Sequence, residues 1–248
     1  CAPVRSRKML AMSTVVGDIM ANTMDHQPST EQMIDPNEEQ PQDPTFYCYV
    51  DATEEVTSLD FSYKHPLQNS WTMYYDNPGK RVSASNWEDN LRQLYTFDTV
   101  EDFWSLQNSV VSPSKLSVGS NYHLFKAHIA PKWEDPCNAQ GGKWVVSFPG
   151  RKRKEIDDTW LNTMLALIGE AWEEEDEICG AVVSIRKDQD RISVWTRTSS
   201  DLQVALGVGR QMRTLLEVPE SVALSFHLHQ DSMKKNSSYH SLRPALEC

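Results

Sequence analysis

Seven short runs with strand character outnumber three helical segments in the central part of the chain, and several are joined by tight turns. That ratio constrains the fold more than any single residue. Asn69 to Tyr75 alternates Trp71, Met73 and Tyr75 on one side, the pattern of a half-buried strand, and Asp76-Asn77-Pro78-Gly79 follows as a turn. Leu91 to Phe97, Tyr122 to Ala127, Lys143 to Phe148, Ile178 to Arg186, Arg191 to Arg197 and Val222 to Leu228 read as further strands. Lys187-Asp188-Gln189-Asp190 joins two of them as a hairpin. One helix follows Asp98 or Thr99, with Glu101 and Asp102 in its first turn, where the helix dipole favours them. A long helix is capped by Asp157 or Asp158, and a third runs from Asp201 to Leu216 and is stopped by Pro219. On the long helix Trp160, Leu161, Met164, Leu165, Leu167 and Ile168 reach almost all round, so it is heavily buried or bound on two sides. Hairpin-linked strands with few helices predict an α+β domain, an antiparallel sheet with helices covering one face.

Residues 1–45 are rich in Met, Ser, Gln, Pro, Asp and Glu without an apolar period, and read as a disordered tail. Residues 231–248 read as a second, flexible tail, leaving 46–230 as the domain. The net charge of −11 argues against broad phosphate neutralisation, so any contact with nucleic acid must be a small local site. No apolar run of about 18 residues is present to span a membrane. Cys1-Ala-Pro-Val-Arg lacks the apolar core of a signal peptide. The five cysteines (1, 48, 137, 179 and 248) are scattered and odd in number, which fits reduced thiols in the cytosol or nucleus.

The eight tryptophans divide by setting. Trp71, Trp144 and Trp195 lie in strands and read as core. Trp87 and Trp133 lie in polar loops, the second followed by Glu134 and Asp135. Arg186 and Arg191 bracket the hairpin. Flat π-faces, a carboxylate and cations together suit a flat, positively charged ligand with a phosphate tail.

Several motifs then occur in order: His65-Pro66-Leu67-Gln68-Asn69-Ser70-Trp71, Phe97-Asp98-Thr99-Val100-Glu101-Asp102-Phe103-Trp104, Trp133-Glu134-Asp135 and Gly141-Gly142-Lys143-Trp144. Leu167-Ile168-Gly169-Glu170 and Cys179-Gly180-Ala181-Val182-Val183 complete the set. From about His65 to Asp231 the chain resembles the eukaryotic translation initiation factor 4E family of mRNA cap-binding proteins. The resemblance implies a curved, eight-stranded antiparallel sheet with three helices on its convex face and a cap pocket on its concave face. It implies a cytoplasmic and nuclear monomer that is not an enzyme, needs no cofactor, and binds the 7-methylguanosine cap of mRNA to recruit a scaffold for translation. The alternative within the family is a repressor homologue that holds the cap without engaging the scaffold productively.

By that resemblance Trp87 and Trp133 sandwich 7-methylguanine, whose methylation gives the base a delocalised positive charge. Each indole contact with such a cation contributes about 0.5–2 kcal/mol. Glu134 accepts two hydrogen bonds from the guanine edge, a contact worth roughly 1–3 kcal/mol of discrimination. Arg186 and Arg191 hold the phosphates and Lys143 assists. Asp188 stands where many members carry a basic residue, which weakens the expected phosphate field. On the helical side, His65, Pro66, Val100, Trp104, Leu161 and Leu165 match the surface that binds an amphipathic helix bearing a Tyr and a Leu-containing pair, from scaffold or repressor proteins. Asn162 replaces a usual acidic residue there. Ser238 falls, by count from His229, at a regulatory phosphoserine position. The pair His227 and His229 reads as two imidazoles on one strand face without enough further ligands for zinc. Cys179, in an apolar strand, reads as packing rather than as a nucleophile.

Overall fold

The computed structural model describes residues 63–77, 90–149, 153–235 and 244–248. Trp87, Ser238 and the segment 1–45 lie outside the described residues. The fold described is that of the unit Lys64–Cys248.

The strands are β1 (Pro66–Asp76), β2 (Arg92–Thr99), β3 (Asn121–Lys126), β4 (Gly142–Pro149), β5 (Ile178–Ser184), β6 (Gln189–Thr196), β7 (Leu224–Leu228) and β8 (Leu246–Glu247). The helices are α1 (Val100–Ser109), α2 (Arg153–Ile168), α3 (Leu202–Leu215) and the short α4 (His229–Lys235). All eight strands form one curved, open antiparallel sheet in the order β2-β1-β3-β5-β6-β4-β7-β8.

Local chemistry sets the helix starts. The Thr99 hydroxyl accepts the Asp102 N–H and caps α1, and Asp201 accepts from the N–H groups of Gln203 and Val204 to cap α3. The long helix departs from expectation. It begins at Arg153, a turn before Asp157, because the Asp157 carboxylate binds the backbone N–H and hydroxyl of Ser114 instead. At its other end Glu170 adopts φ +48°, a left-handed conformation that costs a side-chain-bearing residue roughly 1–2 kcal/mol. Its carboxylate holds it there: Oε1 accepts from Asn69 Nδ2 at 2.8 Å, and Oε2 lies 3.5 Å from Lys126 Nζ in a buried ion pair. This clasp joins the end of α2 to β1 and β3.

The main core lies between the sheet and three helices. Phe103 of α1, Ile156, Trp160, Met164 and Leu167 of α2, and Val208 and Met212 of α3 pack on Trp71, Met73, Leu124, Trp144, Val194 and Phe226. Burying each large side chain of this kind contributes about 1.5–3 kcal/mol. Trp144 donates its indole N–H to Ala205 O at 2.9 Å, and Gly209 lets α3 lie directly on the ring. A Cβ added at Gly209 would sit 2.6 Å from Trp144 Cζ2.

Two parts of the segment expected as a tail from Asp231 belong to the fold. The helix α4 spans His229–Lys235, a fourth helix where three were expected. Leu246–Glu247 supplies the eighth strand, with Leu224 and Cys248 exchanging backbone hydrogen bonds and Arg213 donating to Cys248 O at 2.7 Å. Among the described residues, no helix is long and apolar enough to cross a membrane.

Candidate functional site

Alternation along the strands divides the sheet into two faces. Trp144, Val146, Ile192, Val194, Leu224 and Phe226 enter the core beneath the helices. Lys143, Arg191, Trp195 and His227, out of step with them, belong to the opposite face. Lys143 stands directly across from Trp195 on one side and His227 on the other, while Arg191 is paired with Ser184 and Ser147. A second, smaller apolar cluster of Phe125, Ile129, Cys179, Val182 and Trp195 covers part of this face, and Trp133 packs against it.

Trp133 and Glu134 sit in the loop between β3 and β4, the indole half-buried and the carboxylate exposed. Their neighbours give the loop its shape. Asp135 accepts the backbone N–H groups of Ala130 (2.9 Å) and Cys137 (2.8 Å). Asn138, fully buried, donates through Nδ2 to the carbonyls of Ala130 and Lys132, both at 2.9 Å. Asp135 and Asn138 therefore hold up the segment that carries Trp133 and Glu134. Sequence reasoning missed this role, and the available signal was only an Asp and an Asn in a loop, residue types that bind local backbone.

Three cations face one another here. Lys143 is buried, and that burial, together with the charges of Arg191 and Arg186, pushes its pKa down to about 7. Its Nζ lies 5.9 Å from the centre of the Trp195 ring. Arg186 follows β5, and its guanidinium is fixed by bonds from Nη1 to Ile185 O (2.9 Å) and Ser120 O (3.3 Å), and from Nη2 to Asn121 Oδ1 (2.9 Å). The Arg186 N–H donates to the buried Asp190 carboxylate at 2.7 Å. Asp188, expected to weaken the field, is exposed at the hairpin turn, so its charge is solvated. Burial and the neighbouring Lys143 and Arg191 push His227 down to about 4, and burial holds His229 well below the usual histidine range. Both imidazoles are therefore neutral at pH 7, and the cationic field comes from Lys143 and the two arginines.

The two histidines differ from expectation in placement. The strand ends at Leu228, so His227 stays on β7 while His229 opens α4 and lies against Trp195, with ring centres 4.2 Å apart. The short helix thus packs on the cationic side of the sheet, whereas α1, α2 and α3 cover the other. Among the described residues, no group of three or more His, Cys, Asp or Glu is placed to hold a metal ion. Cys179 is fully buried and its thiol is pushed up to about 12, mainly by desolvation, which suits packing.

On the helical side, Pro66 stands opposite Thr99, and the Val100 N–H donates to His65 O at 2.9 Å. Glu101 accepts from the His65 backbone N–H (2.9 Å) and binds His65 Nδ1 (2.7 Å), and Lys64 pairs with Asp102. His65 and Pro66 are exposed, Val100 is buried, and Trp104, Leu161 and Leu165 are half-buried at the margin of the main core. Trp104 Nε1 finds no acceptor among the described residues.

A family model described as Eukaryotic initiation factor 4E matches residues 66–243. Eukaryotic translation initiation factor 4E-1 of Phaseolus vulgaris is 45% identical over 174 residues, covering 70% of this chain and 74% of that protein. Eukaryotic translation initiation factor 4E1 of Drosophila melanogaster is 41% identical over 187 residues, covering 75% of this chain and 71% of that protein. Among solved structures, C. elegans eIF4E-3 in complex with the 4E-binding protein Mextli and cap analog is 38% identical with a TM-score of 0.67, covering 75% of this chain and 100% of that one. Schistosome eIF4E complexed with m7GpppA and 4E-BP is 32% identical with a TM-score of 0.67, at the same two coverages.

Proposed function

Because the chain belongs to the eukaryotic initiation factor 4E family, we propose that it binds the 7-methylguanosine cap of mRNA and recruits a partner protein to start translation. In this reading Trp87 and Trp133 stack on the two faces of the methylated base and Glu134 accepts hydrogen bonds from its edge. Arg186, Arg191 and Lys143 take the phosphates. On the opposite face, His65, Pro66, Val100, Trp104, Leu161 and Leu165 receive an amphipathic helix from a scaffold or repressor. The observation that carries the reading is the sheet face opposite α1, α2 and α3, where Trp133 packs on the cluster that includes Trp195 and three cations gather beside it. Solved relatives with a cap or cap analog and a 4E-binding protein support the pairing of ligand and partner. The reading puts the protein's work in the cytoplasm.

Cation–π attraction and phosphate binding make separable demands. The protein should be retained on immobilised 7-methyl-GTP and released by free 7-methyl-GTP but not by equal GTP. Release by both alike would remove the role of the methyl-derived charge.

Lys143 adds a pH dependence of known sign. Its charged form is lost as pH rises through about 7, so the phosphate-dependent share of affinity should fall across that range. The ratio of affinities for 7-methyl-GTP and 7-methylguanosine isolates that share, because titration of the base is common to both ligands. Lys143→Arg keeps the charge at all these pH values, so its ratio should fall less than that of the wild type. Identical profiles for the two proteins would assign the pH dependence to another group.

A further inference from the structure

A run of directly opposed residues crosses the sheet beside Arg186. Asp76 ends β1 opposite Asn121 of β3, which in turn faces Ser184 of β5. Asp76, Asn121 and His123 are each more than nine-tenths buried. Asn121 Nδ2 donates to both oxygens of Asp76, at 2.8 and 3.0 Å, and His123 Nε2 donates to Asp76 Oδ1 at 2.7 Å. On its other side Asn121 offers Oδ1 to Arg186 Nη2 at 2.9 Å.

The order of these groups fixes the orientation of the amide. A carboxylate only accepts and a guanidinium only donates, so an amide between them has one satisfactory orientation. Turning Asn121 over would set oxygen against oxygen at Asp76 and N–H against N–H at Arg186. The buried carboxylate thereby aims the Asn121 oxygen at Arg186. Asp76 is also an attractive charge for the same guanidinium, which is half-buried and repelled by Arg191. Nη1 is held by Ser120 O and Ile185 O and Nη2 by Asn121, so among the described residues Nε and the second Nη2 hydrogen are left to receive an anion.

We propose that Asp76, acting through Asn121 and with His123 as its second donor, is a positioning residue for Arg186 that sets affinity for the phosphate chain of the ligand. This rests on the reading of Arg186 as a phosphate ligand. Asp76 acts on the ligand only through Asn121, which holds the Arg186 side chain.

The test compares 7-methyl-GTP with 7-methylguanosine on four proteins: wild type, Asp76→Ala, Arg186→Ala and the double variant. Asp76→Ala should weaken 7-methyl-GTP roughly ten-fold, the lower end of the loss seen when the residue orienting a metal ligand is removed. Affinity for the nucleoside should stay within about two-fold, and in the Arg186→Ala background the Asp76 change should have no further effect on 7-methyl-GTP. An equal loss for both ligands, an undiminished affinity for 7-methyl-GTP, or additive losses in the double variant would each overturn the positioning role. If Asp76→Ala does not fold, Asn121→Ala, which removes the acceptor on Arg186 together with the amide donor to Asp76, is read by the same comparison. A separate failure is visible in Arg186→Ala alone: unchanged 7-methyl-GTP affinity there would mean that Arg186 is not a phosphate ligand.

Discussion

Trp133→Ala lowers affinity for 7-methyl-GTP by at least about ten-fold while the protein stays folded. Stacking of a base on an aromatic side chain contributes roughly 1–3 kcal/mol by alanine substitution. The positive charge of the methylated base adds about 0.5–2 kcal/mol at an indole face. Together they span about 1.5–5 kcal/mol, and each 1.4 kcal/mol is a factor of about ten in affinity. The fold survives because Trp133 lies at the edge of the small apolar cluster and the main core is on the other face of the sheet. Trp87→Ala should lose affinity on the same scale, since the proposed sandwich needs both rings. Titration of the native tryptophan fluorescence measures the loss, and an unchanged thermal midpoint shows that structure is retained. Trp133→Ala with nearly wild-type affinity would put the ligand somewhere else.

Trp104→Ala has the second large effect, on the other face. It should weaken binding of a 4E-binding peptide helix by about 30-fold or more, the loss expected of an aromatic anchor, and leave 7-methyl-GTP affinity within about two-fold. The indole is half-buried on α1, with a ring N–H that has no acceptor among the described residues. Its surroundings are well held by the Thr99 cap, the bonds between His65 and Glu101, and the pair of Lys64 with Asp102. A partner helix can therefore meet a surface already in place, which reduces the ordering cost of association. Fluorescence anisotropy of a labelled peptide reads the first effect and cap-analog titration the second. Equal loss of both ligands would indicate global damage rather than a docking surface.

Much of the architecture was legible because it is local. The β5–β6 hairpin, the caps at Thr99 and Asp201 and the alternation of Trp71 and Met73 each depend on residues a few positions apart. The misplaced features depend on distant partners. Asp157 looked like a helix cap, but Ser114, 43 residues away, takes its carboxylate. Leu246–Glu247 is too short to show a period, and it becomes a strand only through β7 and the grip of Arg213 on Cys248.

The candidate site divides in the same way. Trp133 and Glu134 stand out because an aromatic and an acid in a polar loop are conspicuous, and Arg186 and Arg191 because they bracket a turn. The supports behind them are silent in the sequence. Asn138 makes its two bonds within its own loop, yet an Asn in a loop carries no mark of being fully buried. Asp76 read as part of a turn, and only the pairing of β1 with β3 brings it to Asn121, 45 residues along the chain. The depressed pKa of Lys143 likewise needs its burial on the sheet and the charges of Arg191 and Arg186, which come from other strands and their ends.

In the proposed cap site, paired indole faces recognise a purine by its positive charge. Dissociation constants for 7-methyl-GTP and GTP, measured on the same wild-type sample in the same buffer, test it most directly. The two ligands share the guanine edge and the triphosphate and differ in the methyl group and the charge it creates. 7-methyl-GTP should bind at least about five-fold more tightly, from two cation–π contacts of about 0.5–2 kcal/mol each. Equal constants would contradict it.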